Sequence, residues 1–222
     1  DFNIDIKKTI DFINNETKII LKNKEKITIN KKTNRKIAAI IIVHTFGNAA
    51  AVHKLVKLCK LRKIRIIEDA AESLGTNIKY QNKISHTGTF GDIGCISFNG
   101  NKIITSGGGG ALVTNNYNLF KKVKHISAQS KIDPINYVHD QIGYNYRISN
   151  LQAALGLAQF EKINIYLNKK KKILNFYNHS LKNEKNFNIM SSNEFSISNN
   201  WINILRINNI KIKKETIFNK FK

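Results

Sequence analysis

Residues 36–70, KIAAIIIVHTFGNAAAVHKLVKLCKLRKIRIIEDA, contain the pattern that decides the fold. Residues 36–44 form a continuous apolar run rich in β-branched side chains, which is typical of a strand buried on both faces. Apolar residues then recur near the helical period over 47–63, and 64–70 repeats the pattern of a buried strand. A strand, a helix and a strand in this order form a βαβ unit. The sequence therefore predicts an α/β fold with parallel strands and a ligand site at their carboxyl ends.

Segments on either side extend this unit. Upstream, the pattern predicts a short helix over 5–16 and irregular, lysine-rich turns over 17–36. Downstream, it predicts two more strands, near 93–98 and 110–114, joined by a glycine-rich loop. These two strands should belong to the same sheet as the βαβ unit.

The C-terminal part of the chain begins with a helical pattern. One long helix is predicted after an N-cap at Ser149 or Asn150, with an interruption near Asn164. Weak alternation over 185–222 predicts the start of another α/β unit.

The net charge of +22 raises the question of a nucleic-acid partner. The 37 basic residues are mostly lysines spread among Ile and Asn, and the only real cluster is Lys169–Lys172. Nucleic-acid surfaces favour arginine and interleaved aromatic residues, gathered in patches. A compositional drift toward Lys, Ile and Asn explains the charge better, so no nucleic-acid partner is predicted. A basic nucleic-acid-binding domain is the competing interpretation.

Other classes of protein are disfavoured by simple counts. The longest apolar run, 37–43, is far shorter than a membrane span of about 20 residues, so no membrane partner is predicted. The six histidines and two cysteines show no metal-ligand spacing, so no metal site is predicted. Two cysteines provide no disulfide framework, which favours the reducing cytoplasm.

The glycine-rich loop contains the most constrained lysine of the chain. Eight of the 12 glycines fall within 88–110, where the backbone must turn tightly or approach another group closely. Lys102 lies in this loop, Ser97 at the preceding strand end, and Glu68 and Asp69 at the end of a buried strand. Pyridoxal phosphate needs an amine for a Schiff base, an anion opposite its ring nitrogen and a donor to its phosphate. The spacing fits neither a Walker P-loop nor a dinucleotide fingerprint. A tight structural loop is the alternative to a pyridoxal-phosphate site.

Four segments resemble, in order and spacing, the DegT–StrS group of sugar-nucleotide aminotransferases, which are pyridoxal-phosphate enzymes of fold type I. They are VHTFGNAA (43–50), IIEDAAESLGT (66–76), HTGTFGDIGCISFNGNKIITSGGGGALVTN (86–115) and IGYNYRISNLQAALGLAQFE (142–161). The match runs from about residue 36 to 163. In addition, SNNWINILR (198–206) resembles the beginning of the family's small C-terminal domain.

The resemblance implies an architecture as well as a fold type. It implies a three-layer large domain with a mixed, mostly parallel sheet, followed by the beginning of a small C-terminal α/β domain. Residues 1–163 would be the cofactor-binding large domain without its N-terminal part. Residues 164–222 would be a connecting helix and the start of a truncated small domain.

The same resemblance implies roles for three residues around the cofactor ring. Lys102 occupies the position of the Schiff-base lysine, and Asp69 that of the carboxylate paired with the pyridine nitrogen. Keeping that nitrogen protonated makes the ring an electron sink. Glu72 stands where many members have a glutamine packed near the ring. An exposed carboxylate at a helix start is the alternative for Glu72.

Three further positions match contacts to phosphate or substrate. Ser97 matches a phosphate-binding serine. Asn145 matches an asparagine that reaches the phosphate of the neighbouring subunit's cofactor, so the resemblance implies a homodimer with shared active sites. Arg147 is either a contact to substrate phosphate or carboxylate, or a member of an internal salt bridge.

The function implied by the resemblance is a cytoplasmic transamination. An amino group would move from glutamate to a keto carbon of a nucleotide-linked hexose, for bacterial surface-glycan biosynthesis. Lys102 argues against the dehydratase branch of the group, in which histidine replaces this lysine. The loop SFNGNKIITSGGGG (97–110) resembles that of members acting on 4-keto-6-deoxy sugars. The alternative is a catalytically inactive member with a binding or regulatory role.

Overall fold

The computed structural model describes residues 2–133, 135–209 and 211–219. The chain begins with helix α1 (Ile6–Asn15) and an antiparallel hairpin of strands β1 (Thr17–Lys22) and β2 (Glu25–Asn30). The helix predicted over 5–16 is confirmed. The irregular turns predicted over 17–36 are wrong, because most of that segment forms the hairpin.

The hairpin forms because its turn and its buried residues outweigh its high lysine content. Asn23 and Lys24 both have positive φ, 50° and 66°, as a two-residue hairpin turn of type I′ requires. Thr28 and Ile29 are buried, whereas the strand lysines lie at exposed positions. Long lysine side chains extend along the strand surface and keep their ammonium groups in water, so they do not prevent strand formation.

The predicted βαβ unit is confirmed. Strand β3 (Ala39–Val43), helix α2 (Val56–Leu61) and strand β4 (Arg65–Asp69) follow one another, and the two strands pair in parallel. The helix is shorter than the predicted span of 47–63, because short 3₁₀ turns at Thr45–Gly47 and Val52–Lys54 precede it.

Side chains from other segments account for the shortened helix. The backbone N–H of Ala50 donates to Nδ1 of His44 at 3.1 Å, and that of Ala49 donates to the Ser196 hydroxyl at 3.2 Å. These donors are therefore satisfied by tertiary contacts instead of helical carbonyls.

The central sheet is completed by two strands that flank the glycine-rich loop. A hairpin of β5 (Asn77–Tyr80) and β6 (Lys83–His86), absent from the sequence prediction, comes first. Strands β7 (Ile93–Ser97) and β8 (Gly110–Val113) confirm the two predicted strands. The sheet order is β3-β4-β7-β8, with the first three strands parallel and β8 antiparallel. The prediction of a mixed, mostly parallel sheet is therefore correct.

The core lies on one face of this sheet. Ile42 of β3 and Ile66 of β4 pack there with Leu55 and with Cys59 of α2. On the opposite face, Ile41 is 62% exposed. The prediction that β3 is buried on both faces is therefore wrong, because only the face that contains Ile42 is packed against the core. Alternate residues of a strand point to opposite faces. At the end of β4, Glu68 therefore faces the core side, with Ile42, and Asp69 faces the opposite side.

The chain then continues through helices and short strands. They are α3 (Tyr117–Ser127), β9 (Lys131–Asp133), β10 (Val138–His139), α4 (Asn150–Phe160) and α5 (Ile163–Ser180). Helix α3 was not predicted. The predicted N-cap at Ser149 is confirmed by a capping box, in which Ser149 and Gln152 bond each other's backbone N–H groups. The predicted interruption falls at residues 161–162, slightly before Asn164.

The final segment contains strands and a helix, as predicted for an α/β unit. These elements are β11 (Phe187–Ile189), β12 (Ser196–Ile197), β13 (Leu205–Ile207) and α6 (Lys214–Phe218). Strand β12 pairs with β5, and β11 pairs with β13. The domain boundary at residue 163 stays a prediction. In the described ranges, none of the helices has both the length and the apolar character needed to span a bilayer.

Candidate active site

The candidate site lies at one edge of the central sheet. Asp69 is the last residue of β4 and Ser97 the last residue of β7. Because these strands are parallel, with Asp69 opposite Cys95, their carboxyl ends share this edge. Strand β8 runs the other way and begins here, so the loop that contains Lys102 starts and ends at the same edge.

Lys102 is held in a closed loop. The N–H of Phe98 donates to the Gly109 carbonyl at 3.0 Å, and the N–H of Ser106 donates to the Phe98 carbonyl at 3.0 Å. Gly109 adopts φ +79°, which favours glycine. Ile104 is buried two residues after Lys102 and anchors the loop. The Lys102 side chain is only 13% exposed, so it is not a solvated surface lysine.

Glu72 is the charged neighbour of Lys102. Its Oε1 lies 3.9 Å from Lys102 Nζ, and its Oε2 accepts a hydrogen bond from the Phe46 N–H at 2.7 Å. One carboxylate oxygen is therefore fixed by the backbone while the other faces the amine. Glu72 lies in a turn and is partly buried, so the alternative of an exposed carboxylate at a helix start is wrong.

Asp69 retains a carboxylate oxygen for a ligand. Its Oδ1 accepts a hydrogen bond from the Ala71 N–H at 3.1 Å. Among the described residues, its Oδ2 has no hydrogen-bond donor. Burial and, secondly, the negative charge of Asp69 raise the pKa of the Cys95 thiol. Asp69 and Cys95 are directly opposite each other in the register of β4 and β7, so the two side chains lie on the same face of the sheet.

Ser97 presents a hydroxyl at the same edge. Its Oγ accepts a hydrogen bond from the Asn99 N–H at 3.2 Å. Since the oxygen serves as the acceptor here, the hydroxyl hydrogen can be donated to an anion. The Asp69 carboxylate, the Ser97 hydroxyl and the two ends of the loop that contains Lys102 thus lie at the same edge of the sheet.

Asn145 and Arg147 lie elsewhere on the surface. Both are exposed in the segment between β10 and α4, and Asn145 forms an isolated backbone bridge with Ala128. Within the part of the chain that the structure describes, neither side chain bonds to the residues at the sheet edge. Arg147 has no ion pair there, so the predicted internal salt bridge is not present in this part.

Sequence reasoning missed two residues that contact the site. The Trp201 ring lies 4.1 Å from Lys102 Nζ, measured to the ring centroid. The Asn199 side chain donates to the carbonyls of Glu72 and Leu74, at 2.9 Å each. The available signal was SNNW in the C-terminal motif, which contains the only tryptophan of the sequence.

Glu68 lies beside Asp69 in the chain, but it is a buried structural carboxylate and not a member of the candidate site. It is fully buried, and its carboxylate accepts hydrogen bonds from the N–H groups of Gly88, Phe90 and Gly91, at 2.6–2.8 Å. His44 Nε2 lies 3.0 Å away and carries the hydrogen, because Nδ1 accepts from a backbone N–H. Burial alone would raise the pKa of Glu68. The hydrogen bonds from His44 and the backbone outweigh burial, and the pKa is lowered.

This buried carboxylate therefore needs no lysine. A buried carboxylate is costly unless it is paired or hydrogen-bonded, and here uncharged donors satisfy Glu68. Among the described residues, no group of three or more His, Cys, Asp or Glu is placed to hold a metal ion.

Comparison with known proteins identifies the family. The profile of the DegT/DnrJ/EryC1/StrS aminotransferase family matches residues 2–222. The chain is 42% identical over 149 residues to GDP-perosamine synthase of Escherichia coli O157:H7, covering 67% of this chain and 40% of that one. It is 30% identical over 190 residues to the UDP-4-amino-4,6-dideoxy-N-acetyl-beta-L-altrosamine transaminase of Campylobacter jejuni strain 81-176. That match covers 84% of this chain and 50% of the relative.

Solved structures give the same result. A DegT DnrJ EryC1 StrS aminotransferase from Brucella abortus superposes with a TM-score of 0.75 at 26% identity, covering 86% of this chain and 50% of that one. The predicted fold type I is confirmed by this likeness. The chain spans about half the length of the relatives it matches. The profile match over residues 2–222, the relatives and the shared fold together establish that the chain belongs to the DegT/DnrJ/EryC1/StrS aminotransferase family.

Proposed function

We propose that this chain is part of a pyridoxal-phosphate-dependent aminotransferase that acts on a nucleotide-linked sugar. The observation that carries the proposal is the position of Lys102. Its amine is largely buried, 3.9 Å from the Glu72 carboxylate, at the sheet edge where Asp69 and Ser97 end their strands. Membership of an aminotransferase family supports the same reading.

The groups at this edge fit the cofactor. Pyridoxal phosphate, when bound, supplies an electron-accepting ring that stabilises negative charge at a substrate carbon. The Lys102 amine can bind it covalently, and the unbonded Oδ2 of Asp69 can hold a proton on the ring nitrogen. The Ser97 hydroxyl can donate to a phosphate oxygen.

We assign proton transfer during the reaction to the Lys102 amine, with Glu72 beside it. A lysine amine freed from the cofactor is a base that can accept a proton at Nζ and deliver it to a neighbouring carbon. Glu72 Oε1 lies 3.9 Å from the amine, while the Phe46 N–H keeps the carboxylate in place. Lys102 is thus the catalytic residue, and Glu72 holds its amine in position.

The substrate proposal rests on the relatives. Both curated proteins are named for nucleotide sugars, one linked to GDP and one to UDP. The Campylobacter transaminase is named for a 4-amino-4,6-dideoxy sugar. We extend this to a 4-keto, 6-deoxy hexose as amino acceptor, with glutamate as donor, in bacterial surface-glycan biosynthesis.

The proposal includes a cellular setting and a partner. Cys59 and Cys95 are both free thiols, which suits the reducing cytoplasm. Asn145 is exposed, as a residue that serves the site of a second subunit must be, and we assign it that role in a homodimer.

Covalent labelling tests the central claim. The full-length protein is incubated with pyridoxal phosphate, reduced with borohydride, digested and mapped by mass spectrometry. We expect the label on Lys102 and its loss in Lys102→Ala. Lys171→Ala, which removes an exposed lysine of α5, is the matched control and should keep the label.

A second measurement separates the enzyme from an inactive relative. Unreduced full-length protein loaded with pyridoxal phosphate is assayed with glutamate and several UDP- and GDP-linked 4-keto-6-deoxyhexoses. Turnover that Lys102→Ala abolishes supports the proposal. Label without turnover on any of them would favour a binding or regulatory role, and absence of label on Lys102 would contradict the cofactor assignment.

A further inference from the structure

Trp201 touches both the side chain of Lys102 and the backbone that precedes it. The ring centroid lies 4.1 Å from Lys102 Nζ, and the indole N–H donates to the Asn101 carbonyl at 2.7 Å. Trp201 itself is 6% exposed and packs against Ile103 and Ile104 in a buried cluster. The electron-rich face of an indole attracts an ammonium group without accepting its proton.

Asn199 connects Trp201 to the turn that carries Glu72. Its Nδ2 donates to the Glu72 and Leu74 carbonyls, and its Oδ1 accepts from the backbone N–H of Trp201 at 2.9 Å. Asn199 is 2% exposed, and a Cβ added at Gly47 would lie 2.0 Å from its Oδ1. The segment 196–201, which we call the strap, is therefore seated tightly against the site.

We propose that Trp201 is the positioning residue for the Lys102 amine, and that the strap fixes Trp201 and Glu72 relative to each other. The amine is held between the ring face and the Glu72 carboxylate, so the position of its nitrogen is fixed by two contacts. This inference rests on the proposed function. Misplacement of a reacting group by about 1 Å can cost on the order of 100-fold in rate.

The alternative is that Trp201 serves only as a core residue. A variant series separates the two roles. Trp201→Phe keeps an aromatic face and loses the indole N–H, whereas Trp201→Leu keeps apolar bulk and loses both. Ile202→Ala, at a partly exposed neighbour outside the contact with Lys102, is the matched control.

Steady-state kinetics and labelling of the full-length protein form the main test. We expect Trp201→Leu to lower kcat by about 100-fold with a much smaller change in KM. It should also slow the covalent binding of pyridoxal phosphate to Lys102. Trp201→Phe should restore most of both rates, and Ile202→Ala should leave both near the parental values. If Trp201→Leu folds and matches Ile202→Ala in kcat, the positioning role is wrong.

A fluorescence measurement covers the case in which Trp201→Leu does not fold. The emission of Trp201 is obtained as the difference between the parent protein and Trp201→Phe. After borohydride reduction and dialysis, pyridoxal phosphate should leave this difference quenched in the parent background and restored in a Lys102→Ala background, where the covalent bond cannot form. Quenching that survives dialysis without Lys102, or no quenching in a parent protein that takes label on Lys102, would overturn the inference alone. Absence of label on Lys102 would overturn the proposed function and this inference together.

Discussion

Two neighbouring carboxylates show how the position of one residue on a strand decides its role. Glu68 points into the packed face of the sheet, where backbone N–H groups and His44 satisfy it. Asp69 points to the opposite face and keeps its Oδ2 available at the sheet edge. We therefore expect different consequences from removing the two charges.

The first prediction concerns Asp69. Asp69→Asn should retain the cofactor but lower the transamination rate on the order of 100-fold, because a neutral amide does not hold the proton on the ring nitrogen. The measurement is single-turnover kinetics of the full-length protein loaded with pyridoxal phosphate. Asp11→Asn, at an exposed position of α1, should have the parental rate. A near-parental rate for Asp69→Asn would remove this residue from the mechanism.

The second prediction concerns Glu68. In Glu68→Gln the amide NH₂ must face N–H donors, so the free energy of unfolding should fall by about 2 to 3 kcal/mol. Urea unfolding at neutral pH measures this loss. Glu161→Gln, at an exposed carboxylate, should change the stability little.

The pH dependence of the same variant follows from the lowered pKa of Glu68. A carboxyl group with a folded-state pKa below its ordinary value of 4.5 stabilises the protein above that value. This stabilisation is lost as the pH falls through the folded-state pKa. The parent should therefore lose stability in acid more steeply than Glu68→Gln, and equal slopes would contradict the assignment.

At the scale of elements, β7 is placed by a close approach of two backbones. Gly94 lies within this strand, and a Cβ added there would be 2.1 Å from the Gly88 carbonyl oxygen. Gly100, in the loop after the strand, has open space at the corresponding position. The two glycines therefore form a matched pair for testing the position of the strand that ends at Ser97.

The third prediction uses this pair. Gly94→Ala should lower the free energy of unfolding by about 3 kcal/mol, because a backbone carbonyl cannot move aside as a flexible side chain can. Gly100→Ala should be close to neutral. Thermal and urea unfolding measure both variants, and equal stabilities for the two would show that β7 does not approach Gly88 this closely.

At the scale of the whole molecule, the candidate residues form two groups. Lys102, Glu72, Asp69 and Ser97 gather at one sheet edge, whereas Asn145 is exposed and does not bond to them among the described residues. A two-fold dimer would place each Asn145 reciprocally, because such an interface uses the same surface on both subunits.

The fourth prediction tests this arrangement by mixing subunits. Full-length Lys102→Ala and Asn145→Ala proteins should each be impaired. In a heterodimer with shared sites, one site has both lesions and the other has neither. An equal mixture should therefore recover about a quarter of the parental activity. No recovery despite demonstrated subunit exchange would exclude shared sites, and an active monomer would exclude them more directly.

Several features of the fold and the site followed from local pattern alone. Strands β3 and β4, and the glycine-rich loop around Lys102, could be predicted because their apolar runs and glycines act within a few residues. That β3 is packed on one face only could not be predicted, since it depends on which segments cover the sheet. The hairpin of β1 and β2 could not be predicted from its lysine content, because its formation depends on two positive-φ residues and on burial of Thr17, Thr28 and Ile29 against the rest of the chain.

The βαβ order, the lysine loop and the family resemblance can be identified without a structure, since each depends on residues close together in the chain. The burial of Glu68 as a structural carboxylate and the contact between Trp201 and Lys102 become visible only in three dimensions. The indole N–H and its Asn101 acceptor are 100 residues apart in the chain. Such a contact depends on how distant segments pack together, and no local period in the sequence encodes that packing.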